Sequence, residues 1–201
     1  MTDWRLGLVS AWAMVGVGLA YAVALGVGFA RYGLREPIGD PLLAAMEGLT
    51  LVSAVPLVTL FAAIAVGAPA GRRGLGLAAL VFAGLCAGVT GTVHFVELSA
   101  ARQMGGGGLV WPGVNYAAEL AAWDLFLGVA LLLAAAVFEG DGPERGVRWA
   151  LLTCGALCLA GVVGPFSGNM RLQFVGVAGY ALGLPISCVL LARLFARRAT
   201  P

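Results

Sequence analysis

Six apolar stretches follow one another along this chain, at residues 6–29, 41–68, 74–98, 109–138, 147–166 and 172–195. Each reaches or exceeds the ~20 residues a helix needs to cross the hydrocarbon of a bilayer. Inside a bilayer a segment must satisfy its own backbone hydrogen bonds, which makes each stretch a helix. The connections are too short to fold separately. The expectation is an all-α, polytopic membrane protein, with residues 1–201 forming a single bundle of six transmembrane helices. Composition agrees: 61% of residues are hydrophobic and 11% charged, with mean hydropathy +0.96, whereas soluble domains carry about a quarter charged residues.

The first stretch exceeds the roughly 7–15 apolar residues of a signal peptide. Arg31, Tyr32 and Arg35 follow it in place of a small-residue cleavage site, so it reads as a retained helix. The four cysteines, Cys86, Cys154, Cys158 and Cys188, all fall inside spans and serve there as small hydrophobes. Cys154 and Cys158 share a helix face as packing residues, not as metal ligands.

Orientation rests on arginine, since the chain has no lysine. With the N-terminus inside, Arg5, Arg72, Arg73, Arg145, Arg148, Arg193, Arg197 and Arg198 are cytoplasmic. Arg31, Arg35, Arg102 and Arg171 are then external. The positive-inside rule puts both termini in the cytoplasm, as an even helix count requires. A lysine-free sequence fits GC-rich coding, and the expected location is a bacterial cytoplasmic membrane.

Ionisable and other polar or amphipathic residues crowd toward the outer side of these spans. Glu47, His94, Glu97, Trp111, Asn115, Glu119, Arg171 and Gln173 all fall there, and Asp124 reaches toward mid-membrane. A charge in hydrocarbon costs roughly 2.5 kcal/mol or more, so such groups usually face a protein interior or a water-filled cavity. Thr90, His94 and Glu97 lie on one face of the third helix, and Asn115, Glu119 and Trp123 on one face of the fourth. Asp124 lies about 140° from Glu119 at 100° per residue. The short glycine linker at 105–108 makes the two helices antiparallel neighbours. His94 and Glu97 can then face Asn115 and Glu119, with Glu97 orienting the imidazole.

A single histidine excludes bis-histidine haem and histidine-rich copper or zinc sites. His94-x-x-Glu97 also differs from di-metal bundles, which carry Glu-x-x-His twice. No metal and no other cofactor is expected. Gly-x-Ser-x-Gly is absent, and the glycine linker lacks the strand and lysine of a phosphate loop. General acid–base chemistry fits best. A carboxyl in an apolar cavity can hold its proton at neutral pH and donate it, while a histidine beside a carboxylate acts as base. The catalytic candidates are Asp124, Glu119, His94, Glu97 and Glu47. Asn115, Trp111, Tyr116, Trp123, Phe95, Phe126, Gln173 and Arg171 are expected to bind substrate, with Phe166 and Phe174 at the same level. Their aromatic faces can stabilise a carbocation. The reading is an isomerase or cyclase acting on a lipophilic, isoprenoid-like substrate. Its expected partners are membrane lipids and that substrate, with no nucleic acid. Two alternatives are a proton-coupled transporter, in which Asp124 and Glu119 relay protons, and an assembly subunit of a membrane complex.

Packing expectations complete the sequence reading. Thr90, Thr92, Ser53, Thr59 and Gln173 should bond between helices, and Gly84-x-x-x-Gly88 should form a close-packing face. Pro56 and Pro185 should bend their helices. Glu36 and Asp40 should pair with Arg31 and Arg35.

The strings Glu36-Pro-Ile-Gly-Asp-Pro, Val93-His-Phe-Val, Trp111-Pro, Ala122-Trp-Asp124 and Val137-Phe-x-Gly140 resemble a group of small bacterial six-helix membrane proteins of unknown function, over most of the chain. That resemblance implies functional acids at Glu47, Glu119 and Asp124 and a histidine at His94. Glu97 and Asn115 depart from the pattern and would mark a particular substrate. Membrane terpene cyclases that use isolated acids offer a mechanistic analogy only.

Overall fold

The structure is a computed structural model that describes residues 3–33, 38–105 and 109–199. It contains six helices long and apolar enough to cross a membrane: α1 (Trp4–Tyr32), α2 (Leu42–Val66), α3 (Ala70–Ala101), α4 (Val114–Ala135), α5 (Pro143–Ser167) and α6 (Met170–Ala199). The described residues contain no strand. Each helix packs against the next in chain order, and α6 returns to α1, so the bundle is a closed ring. Trp4 lies 5.7 Å from Phe195 and the Arg198 guanidinium stacks over Trp4, which puts both chain ends at one face of the bundle, the termini end. The opposite face is the distal end.

The termini half of the ring is filled by Leu57, Leu60, Phe61 and Ile64 of α2, Leu131 of α4, Leu151 of α5, and Leu191 and Phe195 of α6. In lipid there is little hydrophobic drive between helices, so close van der Waals fit must hold them. Glycines at contact points supply it. A Cβ on Gly161 would stand 2.6 Å from the Gly176 Cα, and one on Gly155 2.8 Å from the Gly128 carbonyl oxygen. Gly84 and Gly88, expected to form such a face, have nothing within 4 Å. Their spacing marks a smooth surface, but among the described residues nothing packs closely against it. At the termini end Arg72 donates to the Ala136 carbonyl and pairs with Glu139, while Arg198 pairs with Glu144.

Hydroxyls are satisfied mostly within their own helices. Ser53 donates to the Thr50 carbonyl and Thr92 to that of Gly88, while Ser10 and Thr59 join α1 to α2 at 2.7 Å. A polar side chain in a helix can reach the carbonyl one turn back, so it need not bridge.

The distal half differs from the termini half in two respects. Wide π turns interrupt α4 at Ala121–Phe126 and α6 at Ala178–Gly183, and a third forms the end of α3 at Glu97–Ala101. Such turns are rare and often mark functional sites. The ring is also closed unevenly: α1 packs along Leu184–Ala199 but meets Met170–Gly183 marginally at most. One close approach is at Pro185, whose Cγ would lie 3.1 Å from a Cβ on Gly18. Beyond it, toward the distal end, the two helices part.

Candidate functional site

Glu119 is the hub of the distal interior. The His94 Nε2 lies 3.0 Å from its Oε1, the Trp123 indole N–H donates to the same oxygen at 2.5 Å, and the Thr90 hydroxyl donates to Oε2 at 3.1 Å. Thr90 and His94 stand one turn apart on α3, while Glu119 and Trp123 stand one turn apart on α4, so helical spacing alone aligns the four. An ionised Glu119 only accepts, so a neutral imidazole here carries its proton on Nε2 and has its lone pair on Nδ1. That Nδ1 is buried and has no hydrogen-bond partner. His94 as a whole is 4% exposed.

Glu97, expected to orient the imidazole, instead accepts a 2.7 Å bond from the Asn115 amide. It leaves the α3 face at the start of the wide turn that closes the helix. Beside it Arg102 reaches back to donate to Glu47 at 2.7 Å, to the Glu97 carbonyl at 2.9 Å, and to both oxygens of Asp40. Asp40 therefore pairs with Arg102 and not with Arg31. Arg35 and Glu36 lie outside the described residues. The Arg102 guanidinium, through its hydrogen bonds first, holds the Asp40 carboxyl below its ordinary value. Bonds to Asp40 and Glu47 in turn raise Arg102. Glu47 is 2% exposed, and its second oxygen has no partner.

Asp124 meets other neighbours than Glu119 does. Its carboxyl is 1% exposed and lies against the bare backbones of Gly161 and Gly176, where a Cβ on Gly161 would stand 2.9 Å from Oδ1. Neither oxygen is hydrogen-bonded. Gln173 is near enough to act on it, and the Gln173 amide donates to the Tyr180 hydroxyl at 3.0 Å. The Tyr180 ring lies 5.5 Å from that of Trp123. One continuous series of contacts thus runs from His94 through Glu119, Trp123, Tyr180 and Gln173 to Asp124.

Two tyrosines absent from the sequence-based set complete this interior. Tyr21 of α1 is in electrostatic reach of Glu119, Tyr116 and Glu47, and Tyr180 of Asp124, Tyr116 and Tyr21. Their signal in the sequence is a phenol well inside an apolar span, where interfacial anchoring does not explain it.

Several expected lining residues lie elsewhere. Phe95 is 64% exposed, because it sits 100° round α3 from His94. Phe166 and Phe174 face outward too, at 88% and 68%, and Arg171 is exposed. Phe126 packs on Phe82 at 6.5 Å, toward the apolar core. Trp111 stacks edge-on with Tyr116 at 6.3 Å. Tyr116, Asn115 and Glu97 border an open cleft of about 260 Å³ at the distal end. Among the described residues, no three His, Cys, Asp or Glu side chains converge as metal ligands would. Comparison with protein-family models, with curated proteins and with solved structures finds no match for this chain.

Proposed function

We propose that the protein is an enzyme of a bacterial cytoplasmic membrane, with its termini in the cytoplasm, that moves protons on a lipophilic, isoprenoid-like substrate. The observation that carries this is His94: one ring nitrogen is held by Glu119 while the other is buried with no partner. A carboxylate–imidazole pair with a free lone pair is the working unit of a general base. Thr90 and Trp123 fix Glu119 from two further directions, so the imidazole is oriented before substrate arrives.

Asp124 supplies the complementary acid. Its carboxyl is buried against the backbones of Gly161 and Gly176 without a well-formed hydrogen bond, where an unpaired charge is costly, and it starts the cycle protonated. Asp124 gives that proton to one end of a carbon–carbon double bond, or to an epoxide oxygen. The resulting cation is flanked by the rings of Trp123 and Tyr180. His94 Nδ1 then takes a proton from a neighbouring carbon, and the C–H electron pair becomes the new double bond. Return of the proton from imidazolium to Asp124 resets the site. Nothing is consumed beyond the substrate.

A proton-coupled conduit is less favoured. On the termini side of the cluster the described interior is packed with Leu, Phe and Ala and carries no buried carboxylate or histidine. The test is conversion in detergent, where no gradient exists. Wild-type protein should transform prenyl alkenes or epoxides, and His94→Ala should lose at least ~100-fold in rate. No conversion in detergent, together with proton-linked uptake in sealed vesicles, would replace this reading with transport.

A further inference from the structure

Resting on that reading, we infer that the substrate is a single-chain prenyl lipid that enters sideways from the distal leaflet, between the distal halves of α1 and α6. Those halves part beyond Gly18 and Pro185. Glu119 lies five residues in from Val114, and His94 seven residues before Ala101. At ~1.5 Å per residue both sit roughly 8–10 Å below the distal ends of their helices. Tyr21 lies eleven residues before Tyr32, and Tyr180 ten residues after Met170, which puts both roughly 15–17 Å down, near the middle of a ~30 Å core.

The parted wall therefore spans the depth of one leaflet. Tyr21 and Tyr180 stand at the bottom of the opening with Asp124 at their level, ten residues in from Val114, while His94 and Glu119 lie at the depth of its upper part. A lipid of the distal leaflet, with its polar end at the surface, slides in along its length without leaving hydrocarbon. The reacting carbons then lie part-way down the chain, not at its head. The rings of Tyr21, Trp123 and Tyr180 suit the double bonds of a prenyl chain. The saturated chains of a phospholipid offer those rings no double bond.

The test uses diazirine-bearing geranylgeraniol in nanodiscs, with adducts mapped by mass spectrometry. Adducts are expected on Tyr21, Trp123 and Tyr180. Leu25 lies two turns beyond Gly18 on the same face of α1, and Val177 lies on the facing part of α6. Joining Leu25→Cys to Val177→Cys across the opening with a bis-maleimide, with the four native cysteines replaced by alanine, should cut the Trp123 adduct at least tenfold. Adducts confined to outward residues such as Val23 and Phe95 would overturn the inference, as would an undiminished Trp123 adduct in linked protein. Interior labelling by a diazirine phosphatidylcholine in place of the prenol would overturn it as well. The map on unaltered protein decides the matter even where the link fails to form. Labelling needs no turnover, so Asp124→Asn should keep it. Labelled protein that converts no prenyl substrate would leave this entry route standing and remove the catalytic reading.

Discussion

Glu119→Gln separates a catalytic hub from a structural one. Glutamine keeps the length and shape of the side chain, and its amide oxygen can still accept from His94 and Trp123. Its NH2 can donate to the Thr90 hydroxyl, which accepted nothing from glutamate. Two of the three bonds, from Thr90 and His94, cross between α3 and α4. Interhelical bonds in membranes average about 0.6 kcal/mol and reach about 1.7. Losing charge assistance in both can cost at most about 3 kcal/mol, which for a domain of this size is roughly 6–12 °C in Tm. The effect on rate should be larger. The neutral amide no longer stabilises the imidazolium that forms when His94 takes a proton, and exchanging the carboxylate for its amide in a serine-protease triad costs about 10⁴-fold, or about 5 kcal/mol of barrier. The assay is paired: thermal unfolding in detergent and initial rate of prenyl conversion on the same preparation. Rate should fall about 10³–10⁴-fold while Tm drops by no more than about 12 °C. A variant that unfolds but keeps wild-type turnover per folded molecule would refute the catalytic role of the hub.

Asp124→Asn should abolish turnover yet change Tm little, because the carboxyl it replaces makes no well-formed hydrogen bond and the amide oxygen can still face Gln173; a fall of more than about 2 kcal/mol by denaturant titration would mark Asp124 as structural. Gly176→Ala should destabilise by about 1–3 kcal/mol and impair activity together, since the new methyl would occupy the place of the Asp124 carboxyl between α5 and α6. Arg102→Ala strands the buried Glu47 carboxylate and should cost about 3–5 kcal/mol by denaturant titration. The pH dependence follows from Asp40, whose carboxyl is held below its ordinary 3.8 by Arg102. Its stabilising contribution is present above pH 3.8 and disappears as pH falls through the lower folded value, so acid unfolding of Arg102→Ala should lack that limb.

The spans are legible in the sequence because a bilayer allows few alternatives to a long apolar helix. The face-to-face meeting of α3 and α4 is legible too, since a short linker and three- and four-residue spacings place His94 opposite Glu119 and Asn115 opposite Glu97. Contacts that depend on which helix lies where are not. Arg102 finds Asp40 and Glu47 at separations of 62 and 55 residues, and no local pattern marks that pairing. Gly84 and Gly88 carry the expected spacing without a partner, whereas Gly161 and Gly176, on separate helices, make the close contact with no motif at all. Phe95 faces outward for a simpler reason: aromatic character says nothing of direction, and its neighbour His94 already claims the inward face.

The wide turns in α3, α4 and α6 have a consequence for how the helices can vary. Each takes up about one residue more than an α turn, which rotates everything beyond it by roughly 100°. In α4 and α6 the distal segment is thereby out of phase with the segment toward the termini. Each helix behaves as two shorter rods joined at an angle of rotation, one aimed at the polar interior and one at the apolar ring. Were the wide turn of α4 to lie on the other side of Glu119, that carboxylate would turn away from His94 while Leu127 and Leu131 stayed in place, whereas deleting Ala121 would close it to an ordinary turn and leave both segments facing as they do. A family built on this plan could retune its distal chemistry by shifting one residue, with its termini-side packing inherited unchanged.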